Sequence, residues 1–229
     1  IDLGGHSRGT ALLAFAARPA PVQVCWIGYP NTTGLAVMDY RLVDDLTDPP
    51  GEADPYHSER LIRLPNGFLC YRPLIQAAEL PIGLPPSRER GHVTFGSFNA
   101  LGKISPVTLD LWSAVLGAVP ESRLRLKSSL AADGDAWSRV VEHLRARGVD
   151  PGRLEIRSGC ATHKAHLEQY RHIDIALDTY PYHGTTTTCE ALFMGVPVVT
   201  LAGDRHVSRV GVSLLSRVGL SDLIGSSPE

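Results

Sequence analysis

Four consecutive threonines, Thr185 to Thr188, are the residues whose types and spacing most clearly suggest chemistry. They follow Gly184 and stand where the pattern predicts the start of a helix over residues 186–194. The start of a helix presents unpaired N–H groups and about half a positive charge, and hydroxyl groups added there would complete a cradle for a diphosphate. Glu190 falls about one turn into this helix, where its carboxylate could accept hydrogen bonds from ribose hydroxyls.

A purely structural interpretation of the same residues is that the threonines cap the helix and Glu190 balances its dipole. A single Ser or Thr usually acts as a cap, but four in succession after a glycine favour anion binding. The loop lacks the lysine of the Walker sequence GxxxxGKS/T, and it is not a GxGxxG loop. ATP hydrolysis and dinucleotide binding are therefore not favoured.

Other polar residues form weaker patterns. The turn Gly4–Ser7 could line a cleft or simply join a strand to a helix, and both interpretations stay open. His6 beside Ser7 resembles a nucleophile pair, but no GxSxG sequence surrounds it, so a hydrolase is not favoured. The cysteines are scattered without CxxC or metal-ligand spacing: Cys25, Cys70, Cys160 and Cys189. We expect free thiols in a reducing, cytoplasmic compartment and no metal.

The segments that must position these residues alternate between strand and helix patterns. The predicted strands are 93–98, 123–127, 154–157, 173–178 and 197–200. The predicted helices are one that opens at Ser105 and Pro106, and then 136–147, 163–171, 186–194 and 208–218. This alternation implies βαβ units and a parallel sheet. In such a sheet, ligands bind beyond the carboxyl ends of the strands, at the starts of helices.

The amino-terminal part of the chain is less regular. Short apolar runs predict strands at 22–28 and 40–44. Residues 73–90 contain four prolines followed by a charged run, and they are the candidate linker. We therefore expect two domains, residues 1–88 and residues 89–229. Because the first residue is not Met and the chain opens on what reads as the tail of a strand, we expect a fragment of a longer protein.

The composition narrows the range of partners. The 229 residues include 43% hydrophobic and 20% charged side chains, which is ordinary for a soluble globular protein with a sizeable core. A net charge of −2 provides no basic field for nucleic acid. No apolar run approaches the roughly 20 residues of a membrane helix. We therefore expect neither nucleic acid nor a membrane as a partner.

The run from Asp178 to Glu190, with its continuation Met194–Thr200, resembles the donor-site signature of the O-GlcNAc transferase/SPINDLY glycosyltransferase family. Phe95–Ile104 and the Trp112 helix after it resemble the start of the same domain. Residues 18–23, 26–30 and 38–40 resemble the family's amino-side catalytic lobe. The resemblance implies an α/β protein of the GT-B type. It would contain a complete or nearly complete Rossmann-like donor domain and part of a second Rossmann-like lobe.

The resemblance also implies roles for individual residues. Lys103 matches the family's essential lysine, so we expect it to be catalytic and to neutralise charge on the departing diphosphate. The other diphosphate contacts are expected at the helix start, from Thr185, Thr186 and Thr187. Ribose and base contacts are expected from Glu190, Ala161, His163 and His166. Further residues expected to line the cleft are Asn99, His6, Tyr182, His206 and Arg209.

Three positions around the sugar and the base depart from the animal O-GlcNAc enzymes. Thr185 replaces a histidine, Ala100 a glutamine and Gln169 an arginine. The resemblance therefore leaves the donor open between UDP-GlcNAc, which we favour, and GDP-fucose, which the plant SPINDLY members with the same four-threonine loop use.

The implied activity is inverting transfer of a sugar to Ser or Thr hydroxyls of proteins. The Thr-rich helix start and Lys103 would stabilise the leaving group, so no divalent metal is expected. Three alternatives stay open: a protein O-fucosyltransferase, a GT-B transferase acting on a glycan or small molecule, and a non-catalytic module that binds a nucleotide sugar or a partner. The expected partners are a nucleotide sugar and protein acceptors, and TPR repeats are expected upstream. The stretch 1–229 alone is not assumed to be active.

Overall fold

The computed structural model describes residues 1–7, 9–75, 79–128 and 134–228. Its helices and strands, in chain order, are α1 (Leu12–Ala16), β1 (Val24–Trp26), β2 (Tyr40–Val43), β3 (Arg60–Arg63), α2 (Ser87–Arg90), β4 (Thr94–Ser97), α3 (Pro106–Ala118), β5 (Arg123–Lys127), α4 (Gly134–Ala146), β6 (Leu154–Arg157), α5 (His163–Glu168), β7 (Ile175–Leu177), α6 (Thr186–Phe193), β8 (Val198–Leu201), α7 (Val210–Arg217) and β9 (Ile224–Gly225). No described helix is both long enough and apolar enough to cross a lipid bilayer.

The chain divides into two compact units. The first contains Ile1–Cys70 and Gly203–Leu220, and the second contains Tyr71–Ala202 and Ser221–Glu229. The division differs from a boundary drawn at residue 88, because the candidate linker lies within the second unit. There, Ser87 donates its N–H to the Asp174 carboxylate at 2.9 Å. Residues 76–78 of that linker lie outside the described residues.

The first unit contains a parallel sheet of three strands in the order β1-β2-β3. The apolar runs at 22–28 and 40–44 form β1 and β2, as predicted, although both strands are shorter than the runs. Strand β3 was not predicted, because its sequence Arg-Leu-Ile-Arg is too short and too charged to stand out. Pairing with β2, from Arg60 opposite Tyr40 to Arg63 opposite Val43, selects the strand conformation instead.

The second unit contains a parallel sheet of six strands in the order β6-β5-β4-β7-β8-β9, which confirms the predicted α/β class with a parallel sheet. Strand β4 comes first along this unit, β5 and β6 are added on one side, and β7, β8 and β9 on the other. The chain therefore changes direction across the sheet between β4 and β7. The connections after these two strands lead to opposite sides of the sheet, and the crevice at the carboxyl ends of the two strands is where such sheets bind ligands.

Local sequence explains why α3 begins where it does. Ser105 accepts a hydrogen bond from the N–H of Thr108, and Pro106 occupies the first helical position. The buried face of α3 then packs on β5 through one core cluster, whose fully buried members include Leu116, Leu124 and Leu126. Burying each such side chain contributes roughly 1.5–3 kcal/mol. This packing fixes α3, and with it the loop after β4, relative to the sheet.

Helix α5 is shorter than the predicted segment 163–171, because it tightens into a 3-10 turn over Gln169–His172. Tyr170 in this turn is buried and donates its hydroxyl to the carbonyl of Thr187 at 3.0 Å. The tertiary contact therefore holds the end of α5 against α6. As a result, the two helices that carry the expected ribose and base residues are packed together.

Candidate donor-binding site

Helix α6 begins without a side-chain cap. The Thr185 hydroxyl accepts no hydrogen bond from the first turn of the helix. Among the residues that the structure describes, none forms a hydrogen bond with the Thr185 or Thr186 hydroxyl. Helices α3 and α5 differ, because Ser105 and Thr162 cap them. The start of α6 therefore presents backbone N–H groups and hydroxyls that can bind an anion.

The loop between β7 and α6 is organised by the buried carboxylate of Asp178. Its oxygens accept hydrogen bonds from the N–H groups of Thr179 and Gly184, at 2.9 and 2.7 Å, and from the Thr200 hydroxyl at 2.9 Å. A Cβ atom at Gly184 would lie 2.5 Å from Thr187 Oγ1, so the tight approach of the loop to the helix requires glycine. From the sequence, Asp178 was expected only to end a strand.

Lys103 approaches the same loop from the neighbouring strand. It ends a 3-10 turn, Leu101–Lys103, that follows β4. Its Nζ donates a hydrogen bond to the carbonyl of His183 at 2.8 Å and lies 3.9 Å from the centre of the Tyr182 ring. The structure therefore brings Lys103 beside the loop that opens α6. Its catalytic role, and the cleft role of Tyr182, stay predictions.

Two further contacts tie the elements after β4 to the elements after β7. Asn99 accepts a hydrogen bond from the Thr187 hydroxyl at 2.8 Å, so this hydroxyl is already engaged and Asn99 positions the helix start. The Ser105 and Thr108 hydroxyls donate to the carbonyl of Tyr180 at 2.5 and 2.7 Å. The site is consequently held in place from both sides of the crevice. Such pre-organisation favours binding because little ordering remains to be done.

The charge of Lys103 should make donor binding sensitive to pH. Burial lowers the pKa of Lys103, and the nearby Asp178 carboxylate opposes that change. Because the ammonium form is the one that attracts a diphosphate, affinity for UDP should decrease as pH rises, beginning below the ordinary lysine range near pH 10. Calorimetric titration with UDP from about pH 7 to about pH 10 measures this.

The matched variant for this titration is Lys103→Arg, which stays charged throughout the range. In this variant, the charge of residue 103 should no longer cause UDP affinity to decrease as pH rises. Any decrease in affinity that comes from ionisation of the uracil ring should remain. Parallel pH profiles for the two proteins would contradict a role for the Lys103 ammonium in diphosphate binding.

The expected ribose and base residues also come together. His166 Nε2 lies 2.8 Å from Glu190 Oε2, and His163 Nδ1 lies 3.8 Å from Glu190 Oε1. The two histidine rings stack with their centres 6.0 Å apart. Ala161 is exposed just before α5 begins. This cluster combines a carboxylate, which can accept from ribose hydroxyls, with aromatic faces and exposed backbone, which suit a base.

Lys127 completes this cluster and was missed by the sequence analysis. It ends β5, is buried, and its Nζ lies 2.5 Å from His166 Nδ1. Burial lowers the pKa of Lys127, while Cys160 and Glu190 act in the opposite direction. One feature of the sequence could have indicated this residue. Lys127 ends a predicted strand of alternating charged and apolar residues, and ligands bind at the carboxyl ends of such strands.

The remaining expected cleft residues, His6, His206 and Arg209, lie in the first unit. His6 Nε2 lies 2.7 Å from the carbonyl of Thr33. His206 is buried with its Nδ1 2.6 Å from the Asp48 carboxylate. The Arg209 guanidinium donates to the Leu46 and Gly203 carbonyls at 2.8 and 3.0 Å. Each of the three is thus engaged within its own unit, and their assignment to a cleft stays a prediction.

Comparisons with known proteins identify relatives of this chain. The sequence profile of Glycosyl transferase family 41 matches residues 1–72 and 82–229. A probable UDP-N-acetylglucosamine–peptide N-acetylglucosaminyltransferase SPINDLY from Solanum lycopersicum is 47% identical over 229 residues, which cover 100% of this chain and 24% of that protein. The chain therefore spans about a quarter of the length of such curated relatives.

Solved structures agree with the fold. An O-GlcNAc transferase variant from Thermobaculum terrenum superposes with a TM-score of 0.90 and 43% identity, over 99% of this chain and 42% of that one. OtsA superposes with a TM-score of 0.55 and 15% identity, over 93% of this chain and 67% of that one. The second similarity concerns the fold alone. Both neighbours are GT-B glycosyltransferases, so the predicted fold class is confirmed.

Proposed function

Because the chain belongs to glycosyltransferase family 41, we propose that it is part of an inverting transferase that moves a sugar from a nucleotide donor to Ser or Thr hydroxyls of proteins. The observation that carries the proposal is the meeting of Lys103 with the uncapped start of α6 between β4 and β7. Both features supply positive potential to one place, and a sugar-nucleotide diphosphate is the anion that a glycosyltransferase must hold there.

We favour UDP-GlcNAc as the donor. The proposal is supported by the names of the relatives, which are described as acting with UDP-N-acetylglucosamine on peptides. It is also supported by the Glu190 carboxylate and the His166 ring, which can receive a ribose and a base beside the diphosphate position. The acceptor is proposed to be a protein Ser or Thr, presented by TPR repeats elsewhere in a longer cytoplasmic protein.

The reaction follows from this arrangement. The acceptor oxygen attacks the anomeric carbon, the bond from that carbon to the diphosphate oxygen breaks, and the hydroxyl proton is released. Negative charge grows on the leaving diphosphate, where Lys103 and the N–H groups of α6 stabilise it. The proposal therefore includes no divalent metal. The resemblance to inverting enzymes calls for no covalent intermediate with the protein.

Direct assay of sugar transfer tests the proposal. Radiolabelled UDP-GlcNAc and GDP-fucose are each supplied with a Ser/Thr-containing peptide to the longest natural protein that contains this chain. The expected result is label from UDP-GlcNAc on peptide hydroxyls. Label from GDP-fucose alone would replace the donor assignment. Calorimetry with UDP and GDP is run in parallel, and binding of neither nucleotide would refute the enzyme proposal in favour of a partner-binding module.

A further inference from the structure

A polar cavity of about 550 Å³ lies in the second unit, along β5 and β6 and beside the amino end of β4. Its charged lining residues are five arginines and one glutamate: Arg90, Arg123, Arg125, Arg153, Arg157 and Glu155. Five positive charges and one negative charge leave a net charge of +4 when the lining histidines are neutral. Its lining begins with Arg123 at the start of β5 and extends to Arg157, which pairs with Lys127 at the other end of that strand.

The positive charges of this arginine cavity are not balanced within the described chain. Arg125 is buried and donates to Glu155 at 2.8 Å and to the neutral Gln169 amide oxygen at 2.8 Å. Its Nε is buried without a hydrogen-bond partner. Glu155 also accepts from Arg157 Nε at 2.8 Å, so one carboxylate serves two guanidinium groups. Buried cations normally have a full set of anionic or polar partners.

Two other arginines of the cavity lining, Arg90 and Arg123, have no anionic partner among the residues the structure describes. Arg90 donates to the carbonyl and Nδ1 of His172, both at 3.1 Å and both neutral acceptors. Arg123 is exposed, and its guanidinium group makes no hydrogen bond or ion pair with any described residue. Arg153 donates to the Leu116 and Val119 carbonyls at the end of α3. None of these contacts cancels charge.

Positive charge surrounds His172, which lines the cavity. Burial lowers the pKa of His172, and the charges of Arg125 and Arg90 lower it further, against the opposing charge of Glu155. Arg90 and Arg125, whose charges act on His172, both line the same cavity. An anion entering there would therefore gain from several guanidinium groups at once.

We propose that the arginine cavity binds the phosphate monoester of a small polar molecule, such as a sugar phosphate. Guanidinium groups match phosphate oxygens through paired hydrogen bonds, which is why arginine predominates in phosphate sites. The volume lies within the range of small-molecule sites and far exceeds that of a bare phosphate ion. The other lining residues are mainly polar, so the remainder of the ligand is polar too.

The test is nuclear magnetic resonance of the ¹⁵N-labelled protein titrated with glucose 6-phosphate, inorganic phosphate and glucose. Glucose 6-phosphate should shift the backbone amides of residues 90–94, 123–125 and 152–157, and it should bind more tightly than inorganic phosphate. Glucose alone should shift none of them. Equal affinities for inorganic phosphate and glucose 6-phosphate would refute the monoester assignment, and absence of shifts with either would refute the site.

The variant that probes the cavity is Arg90→Gln with Arg123→Gln, since both side chains are exposed and their loss should not prevent folding. It should weaken glucose 6-phosphate binding by at least about tenfold, because two charge-assisted contacts are lost. The matched control is Arg145→Gln with Arg147→Gln, which removes two exposed arginines of the α4 region outside the cavity lining and should leave affinity unchanged. If both double variants bound glucose 6-phosphate equally weakly, the loss of affinity would come from the change in net charge alone, and the proposal would be overturned.

UDP calorimetry on the same proteins separates this inference from the proposed function. The Arg90→Gln/Arg123→Gln protein should bind UDP as the unaltered protein does, because neither arginine lies at the donor site. Loss of UDP binding in that variant would place these arginines in the donor site and contradict a separate cavity. Failure of the unaltered protein to bind UDP would instead count against the transferase proposal alone.

Discussion

Replacing Lys103 with Ala is expected to lower the turnover of sugar transfer by about 100-fold or more, the scale seen when one transition-state contact to a developing anion is removed. Lys103 Nζ stands beside the loop that opens α6, and the pKa of this lysine is lowered by burial rather than by like charges. A partly buried cation acts on the diphosphate with less solvent screening than an exposed one. Loss of its charge therefore raises the barrier to departure of the nucleotide.

The measurement is kcat with labelled donor and peptide at saturating concentrations of both. Lys103→Arg should retain more turnover than Lys103→Ala, because it keeps the charge while changing its position. The control is Arg145→Ala, which removes a cation from the exposed surface of α4 and should leave kcat unchanged. Turnover of the Lys103→Ala protein within about threefold of the unaltered protein would remove Lys103 from the catalytic step.

Replacing Asp178 with Ala should lower the free energy of unfolding by about 3 kcal/mol, because the N–H groups of Thr179 and Gly184 and the hydroxyl of Thr200 lose a shared buried acceptor. The same loop opens α6, so UDP affinity should fall as well. Urea denaturation followed by circular dichroism measures the stability, and calorimetry below the unfolding transition measures the affinity.

Asp222→Ala provides the comparison for this experiment, because Asp222 is exposed in a 3-10 turn of the same unit. Its unfolding free energy should stay within about 0.5 kcal/mol of that of the unaltered protein. If Asp178→Ala were equally mild, the carboxylate would not be what organises the loop. If stability decreased but UDP affinity did not, the loop geometry would not determine nucleotide binding.

The sequence by itself determined much of the second unit. The strands at 123–127 and 154–157 have the predicted bounds, because each is a compact run between clear turn or helix signals. The start of α3 follows from Ser105 and Pro106, whose capping and fixed backbone angle act locally. The position of the threonines at the start of α6 was also predictable, since Gly184 and the strand before it are local signals.

Other features depended on residues far apart in the chain. Strand β3 has no strong pattern of its own and forms because β2 pairs with it. The return of residues 203–220 to the first unit could not be seen from the local composition of that segment. Lys127 resembles an ordinary strand-ending lysine until α5 places His166 beside it, 39 positions along the chain.

Residue identity and short-range spacing thus determined which groups could bind a diphosphate, because capping, turn formation and strand pattern act over a few residues. Only the tertiary structure decided which of them meet. The order of strands in the sheet sets the loops after β4 and β7 side by side, although Lys103 and the His183 carbonyl that it contacts are 80 positions apart in the chain. The same sheet places several arginines together along β5 and β6, where charge balance depends on neighbours that are distant in sequence.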